Sequence, residues 1–216
     1  YGDGESIYGE EDKDLVVLPR VNNIAINPKN DNLIGIIKGG FRERFMNKKV
    51  VLLNINKDKS YEIINITDKN LVAMTPNFTL DGEKLLYSAT EAIDPNTITD
   101  YNQACKDWEN QPHNIYEYDL KSSKVRKLTE GNDFDFMPIN ISKDEILICR
   151  LKNNGSGILM KITDEKEETF VDDVIMDYFS EKNIDAFLNE NSKKNKDNIK
   201  ENSKDISKTK LSEGNP

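Results

Sequence analysis

The chain has 216 residues, a formal net charge of −9, one histidine and two cysteines. A chain this acidic repels phosphate backbones unless its basic residues are segregated on one face. Because the lysines are interleaved with acids, we expect no nucleic-acid partner. Cys105 and Cys149 lie too far apart in sequence to signal a zinc site or a disulfide framework, so we expect two free thiols. No run of 18 apolar residues occurs, and we predict no membrane-spanning segment.

The N-terminal residues 1–20 carry the pattern of a hairpin. Ser6-Ile-Tyr8 and Leu15-Val-Val-Leu18 flank a run of charged residues at 10–14, which predicts two paired strands joined by a polar turn. We interpret this hairpin as the end of a preceding four-stranded unit whose first two strands are missing.

A turn pattern then occurs three times, at 26–33, 78–85 and 139–146. Each copy has an apolar anchor, six mostly polar positions and an apolar residue that opens the next strand. The predicted strands are 33–37, 85–88 and 146–151. Repeats of about 20–50 residues are typical of stacked units, so the repeat decides the fold.

A second hairpin follows in each repeat and closes nine positions after Asn54, Asp119 or Lys161. Each repeat therefore predicts one four-stranded antiparallel sheet. A single such sheet leaves apolar faces that similar sheets around an axis would bury. We predict an all-β fold, a partial β-propeller with blades at about 21–67, 68–130 and 131–173.

The C-terminal part divides near residue 188. Residues 174–188 fit either the opening hairpin of another blade or an amphipathic helix. Residues 189–216 have no aromatic side chain and three large aliphatic ones, too few to offset an ordering cost of roughly 1–2 kcal/mol per residue. We predict a folded part at 1–188 and a disordered polar tail at 189–216. Propellers have about 4–8 blades, so missing blades or a second copy would be needed to close the ring.

The second repeat has the most specific pattern. It reads Pro76-x-Phe78-x-Leu-Asp81-Gly82-x-Lys-Leu-Leu-Tyr87-Ser88, then Ile115-Tyr116-x-Tyr118-Asp-Leu and Leu128-Thr129. This pattern resembles the repeat of the TolB-like β-propeller family. The other repeats depart from it, with Asn30-Asp31 and Lys143-Asp144 where Asp-Gly is expected. The resemblance implies a non-catalytic binding scaffold that is exported or at the cell surface. Related propellers also occur as substrate-gating domains of serine peptidases.

The second repeat's turn is structural in this interpretation. We expect Asp81 to accept hydrogen bonds from its own turn and Gly82 to supply a positive φ.

Few residues could carry catalysis. His113 is the one histidine, and Gly155-Ser156-Gly157 lacks the frame of a nucleophile elbow. The segment 94–100 alternates oxygen ligands as a calcium loop does, but it lacks the central glycine and the closing glutamate. We therefore predict no catalytic residue, no metal site and no cofactor.

An insertion at 90–112 is the main anomaly, because ordinary hairpin loops have about 2–5 residues. It carries Tyr101 and Trp108, and His113 follows it directly. Long loops on a rigid scaffold serve binding or cover an edge. These side chains therefore either contact a ligand or partner, or pin a short helix at 100–110 onto the blade.

Two further segments are candidates for contact. Asp133 and Asp135 precede the first strand of the third repeat and either face a central channel or are solvated loop acids. The aromatic and basic residues 41–45 form either a contact surface or a self-paired loop.

Together these features predict a non-catalytic β-propeller scaffold that binds a protein or a small ligand. The alternative is an accessory or sensor propeller of a larger peptidase-like enzyme or membrane-anchored protein, whose catalytic part precedes residue 1.

Overall fold

The computed structural model describes residues 6–8, 16–19, 21–39, 46–58, 60–152 and 156–174. Three expectations from the sequence lie outside this range: the contact segment 41–45, the two alternatives for 174–188, of which only Val174 is described, and the polar tail at 189–216.

The described residues form a short hairpin, three four-stranded sheets and one helix. The hairpin is β1 Ser6–Tyr8 and β2 Val16–Pro19. The first sheet has β3 Val21–Asn27, β4 Asn30–Lys38, β5 Lys49–Ile55 and β6 Tyr61–Asn65. The second has β7 Leu71–Phe78, β8 Lys84–Glu91, β9 Asn114–Asp119 and β10 Lys124–Lys127, with helix α1 Tyr101–Asn110 between β8 and β9. The third has β11 Phe134–Ser142, β12 Glu145–Leu151, β13 Gly157–Ile162 and β14 Glu167–Val174.

Each sheet is antiparallel, and its strands lie side by side in chain order. The first strand of the second sheet, β7, contacts the first strands of the other two sheets, β3 and β11. Successive sheets are thus arranged around their first strands, which is the arrangement of propeller blades. The prediction of an all-β, partial β-propeller is confirmed. No helix in the described part of the chain is long and apolar enough to cross a bilayer.

The second sheet lies between the other two and is apolar on both faces. Strand β8 shows this best, because Leu85 and Leu86 point to opposite faces and both have no exposed surface. Burying a side chain of this size stabilises the fold by about 1.5–3 kcal/mol. Gly35 allows the close approach of the first sheet, since a Cβ there would lie 2.9 Å from Cδ1 of Leu85.

Several strand boundaries differ from the sequence-based expectation, and two of the differences have a clear structural cause. Strand β4 begins at Asn30 instead of residue 33, because the Asn27 side chain closes a tight turn by accepting the N–H groups of Lys29 (2.8 Å) and Asn30 (3.1 Å). Strand β11 begins at Phe134, so Asp135 lies inside the strand and not before it. A buried ion pair, described below, makes an acid tolerable at that strand position.

A candidate binding rim on the second sheet

The insertion between β8 and β9 folds into two capped elements. A 3-10 turn, Pro95–Thr97, begins where Asp94 accepts the Asn96 N–H at 2.9 Å. Helix α1 begins where Asp100 accepts the N–H groups of Asn102 (2.8 Å) and Gln103 (3.3 Å). Capping satisfies backbone donors that the first turn of a helix leaves unpaired. The two acids therefore serve as helix caps.

An aromatic cluster anchors the insertion. Trp108 on α1 and His113 after it are 2% and 0% exposed. The His113 ring stacks on Phe134 of β11 with ring centroids 3.5 Å apart, and the Trp108 ring meets His113 edge-on at 4.8 Å. Phe134 extends the cluster to Phe136 in an edge-to-face contact at 5.7 Å. The insertion of the second sheet is thus packed against the third sheet.

His113 is neutral in this environment. Burial lowers its pKa to about 3, and its Nδ1 donates to the Gln111 carbonyl at 2.8 Å. Its Nε2 and the Nε1 of Trp108 are both buried without a hydrogen-bond partner among the described residues. Protonation of Nε2 of His113 would place an unpaired charge in this apolar cluster, so the anchor is sensitive to the protonation state of His113.

Backbone hydrogen bonds reinforce the anchor. The His113 N–H donates to the Asp133 carbonyl at 3.1 Å, and the Asp135 N–H donates to the His113 carbonyl at 2.9 Å, a short parallel bridge between the second and third sheets. The Ser88 hydroxyl of β8 donates to the Asp135 carbonyl. The end of the insertion is therefore held by main-chain contacts as well as by side-chain packing.

A buried ion pair lies on the other face of β11. Arg150 of β12 donates to both carboxylate oxygens of Asp135, at 2.6 and 2.9 Å, and to Glu167 of β14 at 2.8 Å. These carboxylates raise the pKa of the Arg150 guanidinium. Asp133 is farther away, 3.9 Å from Nε of Arg150. Because Arg150 binds Asp135 and Glu167 together, this cluster ties β11, β12 and β14 of the third sheet to one another.

A groove opens between the first and second sheets, next to the end of the insertion. It consists of two adjoining cavities of about 780 and 370 Å³, which share Leu71, Glu91 and Tyr116. We call it the rim groove. The larger part is also lined by Ile66, Thr67, Asp68, Asn70, Tyr87, Ala92 and Val125. The smaller part reaches Gln111 and Pro112 at the end of the insertion.

Two stacked tyrosines form the floor of the rim groove. The rings of Tyr87 and Tyr116 are 5.7 Å apart and nearly parallel, at 13°. Tyr87 is fully buried, whereas Tyr116 is half-buried. Burial raises the pKa of both phenols, so both are neutral at physiological pH.

The residues singled out from the sequence have different positions. Trp108 and His113 lie together in the interior, as anchors of α1. Asp133 and Asp135 both lie near Arg150, but Asp133 keeps 38% of its side chain exposed while Asp135 keeps 2%. Tyr101 lies apart from these four on the first turn of α1 and is 42% exposed.

The Asp81-Gly82 turn is clamped to a neighbouring sheet. The Asp81 carboxylate accepts from the Thr79 hydroxyl at 2.6 Å and the Glu83 N–H at 3.0 Å, and these bonds lower its pKa. Gly82 has a φ of +71°, and its carbonyl accepts from Nδ2 of Asn27 at 2.7 Å.

Sequence reasoning missed the rim groove. Its wall at 66–71 follows the first sheet, and its floor comes from β8 and β9 of the second. The Ile-Tyr-x-Tyr pattern marked Tyr116 as a strand residue, but no signal indicated what lies against it.

No protein-family model matches the sequence. No curated protein is significantly similar to it.

Solved structures share the fold at low identity. One is the protein assigned as TolB in Agrobacterium tumefaciens, with a TM-score of 0.51 and 12% identity over 72% of this chain and 50% of that one. Another is a puromycin-hydrolyzing peptidase of Mycobacterium tuberculosis, with a TM-score of 0.51 and 11% identity over 77% of this chain and 23% of that one. An oligogalacturonate lyase in complex with manganese has a TM-score of 0.50 and 12% identity over 80% and 42%.

These likenesses define the fold class as a β-propeller that resembles TolB. The chain spans half or less of the length of each of these three proteins. The three differ in activity by their names, so the shared fold leaves function to the site.

Proposed function

We propose that this chain is a non-catalytic β-propeller module that binds a protein partner through the rim formed by α1 and the rim groove. The blade divisions at 21–67, 68–130 and 131–173 and an exported or cell-surface location, which the TolB resemblance implies, are parts of this proposal.

The anchored insertion carries the proposal. Its interior side is fixed by Trp108 and His113, while Tyr101 at the first turn of α1 is 42% exposed, and Lys106 and Asp107 are exposed further along the helix. A surface that is already ordered loses little conformational freedom on binding. Exposed tyrosines are enriched at protein interfaces because their rings supply apolar area with a polar end.

A second candidate function is an accessory propeller of a larger enzyme. It is supported by the likeness to the peptidase and the lyase, in which the matched region is 23% and 42% of the protein. In that case the same rim would contact a catalytic domain. The two candidates agree on a binding role for these residues and differ in whether the partner is on the same polypeptide.

The proposal is tested by cross-linking and affinity capture with the 216-residue chain. A rim variant, Tyr101→Ala with Lys106→Glu, changes two exposed residues of α1 and keeps the buried Trp108 and His113. A matched control, Lys166→Ala with Glu165→Lys, changes the exposed turn between β13 and β14. We expect the wild type and the control variant to capture the same partner protein. The rim variant should capture at least tenfold less of it. Equal recovery by the rim variant would contradict the proposal.

A further inference from the structure

We infer that the rim groove binds an extended peptide that places an aromatic or aliphatic side chain beside a lysine or arginine. This inference rests on the proposed function and names the chemistry that the groove would recognise.

The apolar part of the groove can hold one large side chain. Its floor is the half-buried Tyr116 ring stacked on Tyr87, and its outer wall includes Val125, which is 48% exposed. Ile66 and Leu71 add two more apolar side chains to its lining. A cavity of about 780 Å³ lies within the usual range of about 300–1,000 Å³ for ligand pockets.

The charged part of the groove favours a cation. Asp68 and Glu91 are both exposed at its border. The Asp68 carboxylate accepts the Asn70 N–H at 2.7 Å through Oδ1. Glu91 has no ion-pair partner in the described part of the chain.

The cations nearby are already engaged. Lys49 donates to the carbonyls of Asp68 (3.0 Å) and Lys69 (2.9 Å) and also to that of Leu71. Lys127 pairs with Glu130 at 2.7 Å. Among the residues that line the two cavities, Asp68 and Glu91 are acidic and Lys127 is basic, which leaves one negative charge. A peptide cation next to Glu91 would neutralise it.

The smaller cavity extends the site toward the insertion. It passes from the shared residues Glu91 and Tyr116 to Gln111 and Pro112, directly before the buried His113. The Gln111 side chain lies 3.4 Å from the Thr90 hydroxyl, so it borders the groove from a fixed position. Two adjoining cavities in a row fit a peptide of a few residues better than a single compact molecule.

The probes are two capped peptides, Ac-Gly-Phe-Lys-Gly-NH2 and Ac-Gly-Phe-Glu-Gly-NH2, titrated into the ¹⁵N-labelled full chain and followed by amide chemical shifts. We expect shifts centred on residues 66–71, 91 and 116, with the lysine peptide at least tenfold tighter. Glu91→Gln should remove most of that preference, and Glu165→Gln on the exposed turn should keep it. Equal affinity for the two peptides would overturn the charge argument.

A second pair of variants tests the apolar contact. Val125→Ser in the groove should weaken the lysine peptide at least fivefold, whereas Val171→Ser, which is 45% exposed on β14, should not. No groove shifts at millimolar peptide, or equal effects of both serine variants, would overturn the inference. The Tyr101→Ala, Lys106→Glu variant should still bind the lysine peptide, because neither residue lines the groove. Absence of peptide binding therefore contradicts the groove inference, whereas equal partner capture by this variant contradicts the proposed function.

Discussion

Asn27, Thr79 and Asn140 occupy the same position in the three repeats. Asn27 and Asn140 each close their own turn with one end of the amide and reach the second sheet with the other. Asn27 donates to Gly82, and Asn140 accepts the Leu80 N–H at 2.9 Å. The turn of the second sheet is therefore held from both sides. This contact explains why polar residues at these positions are 8% exposed or less.

At this scale we predict a specific cost for Gly82→Ala. A positive φ is unfavourable for alanine, and its Cβ would also overlap the Asn27 amide. The control is Gly82→Ala in an Asn27→Ala background, where the positive φ remains and the overlap with the Asn27 amide is removed. Urea unfolding should show that Gly82→Ala loses about 2–3 kcal/mol in wild type and about 1 kcal/mol in the Asn27→Ala background. Equal losses would show that the Asn27 contact is irrelevant.

We also predict that His113 makes stability depend on pH. Its folded pKa of about 3 lies below the unfolded value of about 6.5, so below pH 6.5 the unfolded state binds a proton that the folded state does not. Stability therefore falls as pH decreases from 6.5 toward 3. From pH 7 to pH 5 the loss should be about 2 kcal/mol. In His113→Phe this loss of stability between pH 7 and pH 5 should be absent when urea midpoints are compared at the two pH values. If the variant loses as much stability as wild type, the prediction is contradicted.

At the scale of elements, helix α1 illustrates what a sequence can and cannot indicate. One of the two alternatives for the insertion was a short helix at 100–110 pinned by Tyr101 and Trp108, and helix α1 spans Tyr101–Asn110. Its docking site was not predictable, because Phe134 belongs to another sheet and follows no periodicity shared with the insertion.

We expect substitutions of the two aromatic residues of α1 to differ in their effect on the free energy of unfolding. Trp108→Ala removes a side chain that is 2% exposed and should reduce the free energy of unfolding by about 3–5 kcal/mol. Tyr101→Ala removes a ring that is 42% exposed and should reduce it by less, about 1 kcal/mol. Both values can be measured by urea unfolding followed by far-UV circular dichroism. A small effect of Trp108→Ala would mean that the insertion is not held by this cluster.

At the scale of the molecule, the repeat could be predicted from the sequence because each hairpin depends on residues that are close in sequence. The Leu128-Thr129 pair shows this: the Thr129 hydroxyl accepts the Ile115 N–H at 3.0 Å, as Thr67 accepts that of Val50 at 2.9 Å. The rim groove was not legible, since it arises between sheets from residues with unrelated sequence positions. The strands and turns within a sheet follow from the pattern of neighbouring residues. The contacts between sheets depend on how whole sheets pack against each other.

The third sheet predicts self-association. Its face away from the second sheet carries Ile139 and Val171, which are 50% and 45% exposed, and no further sheet covers it within residues 21–174 as described. Exposed apolar patches promote contact between molecules. Sedimentation velocity should show a concentration-dependent increase in average mass that Ile139→Lys with Val171→Lys reduces. Lys124→Ala with Val125→Lys on β10 serves as the control.

The paired asparagines also bear on how such a chain could grow. Asn27 reaches forward to the turn of the next unit, and Asn140 reaches back to the turn of the preceding one. The middle unit, with Thr79 at this position, only receives these amides. Growth by duplication would therefore need units with asparagine beside units with threonine, because two copies of the middle unit would bring no amide to each other.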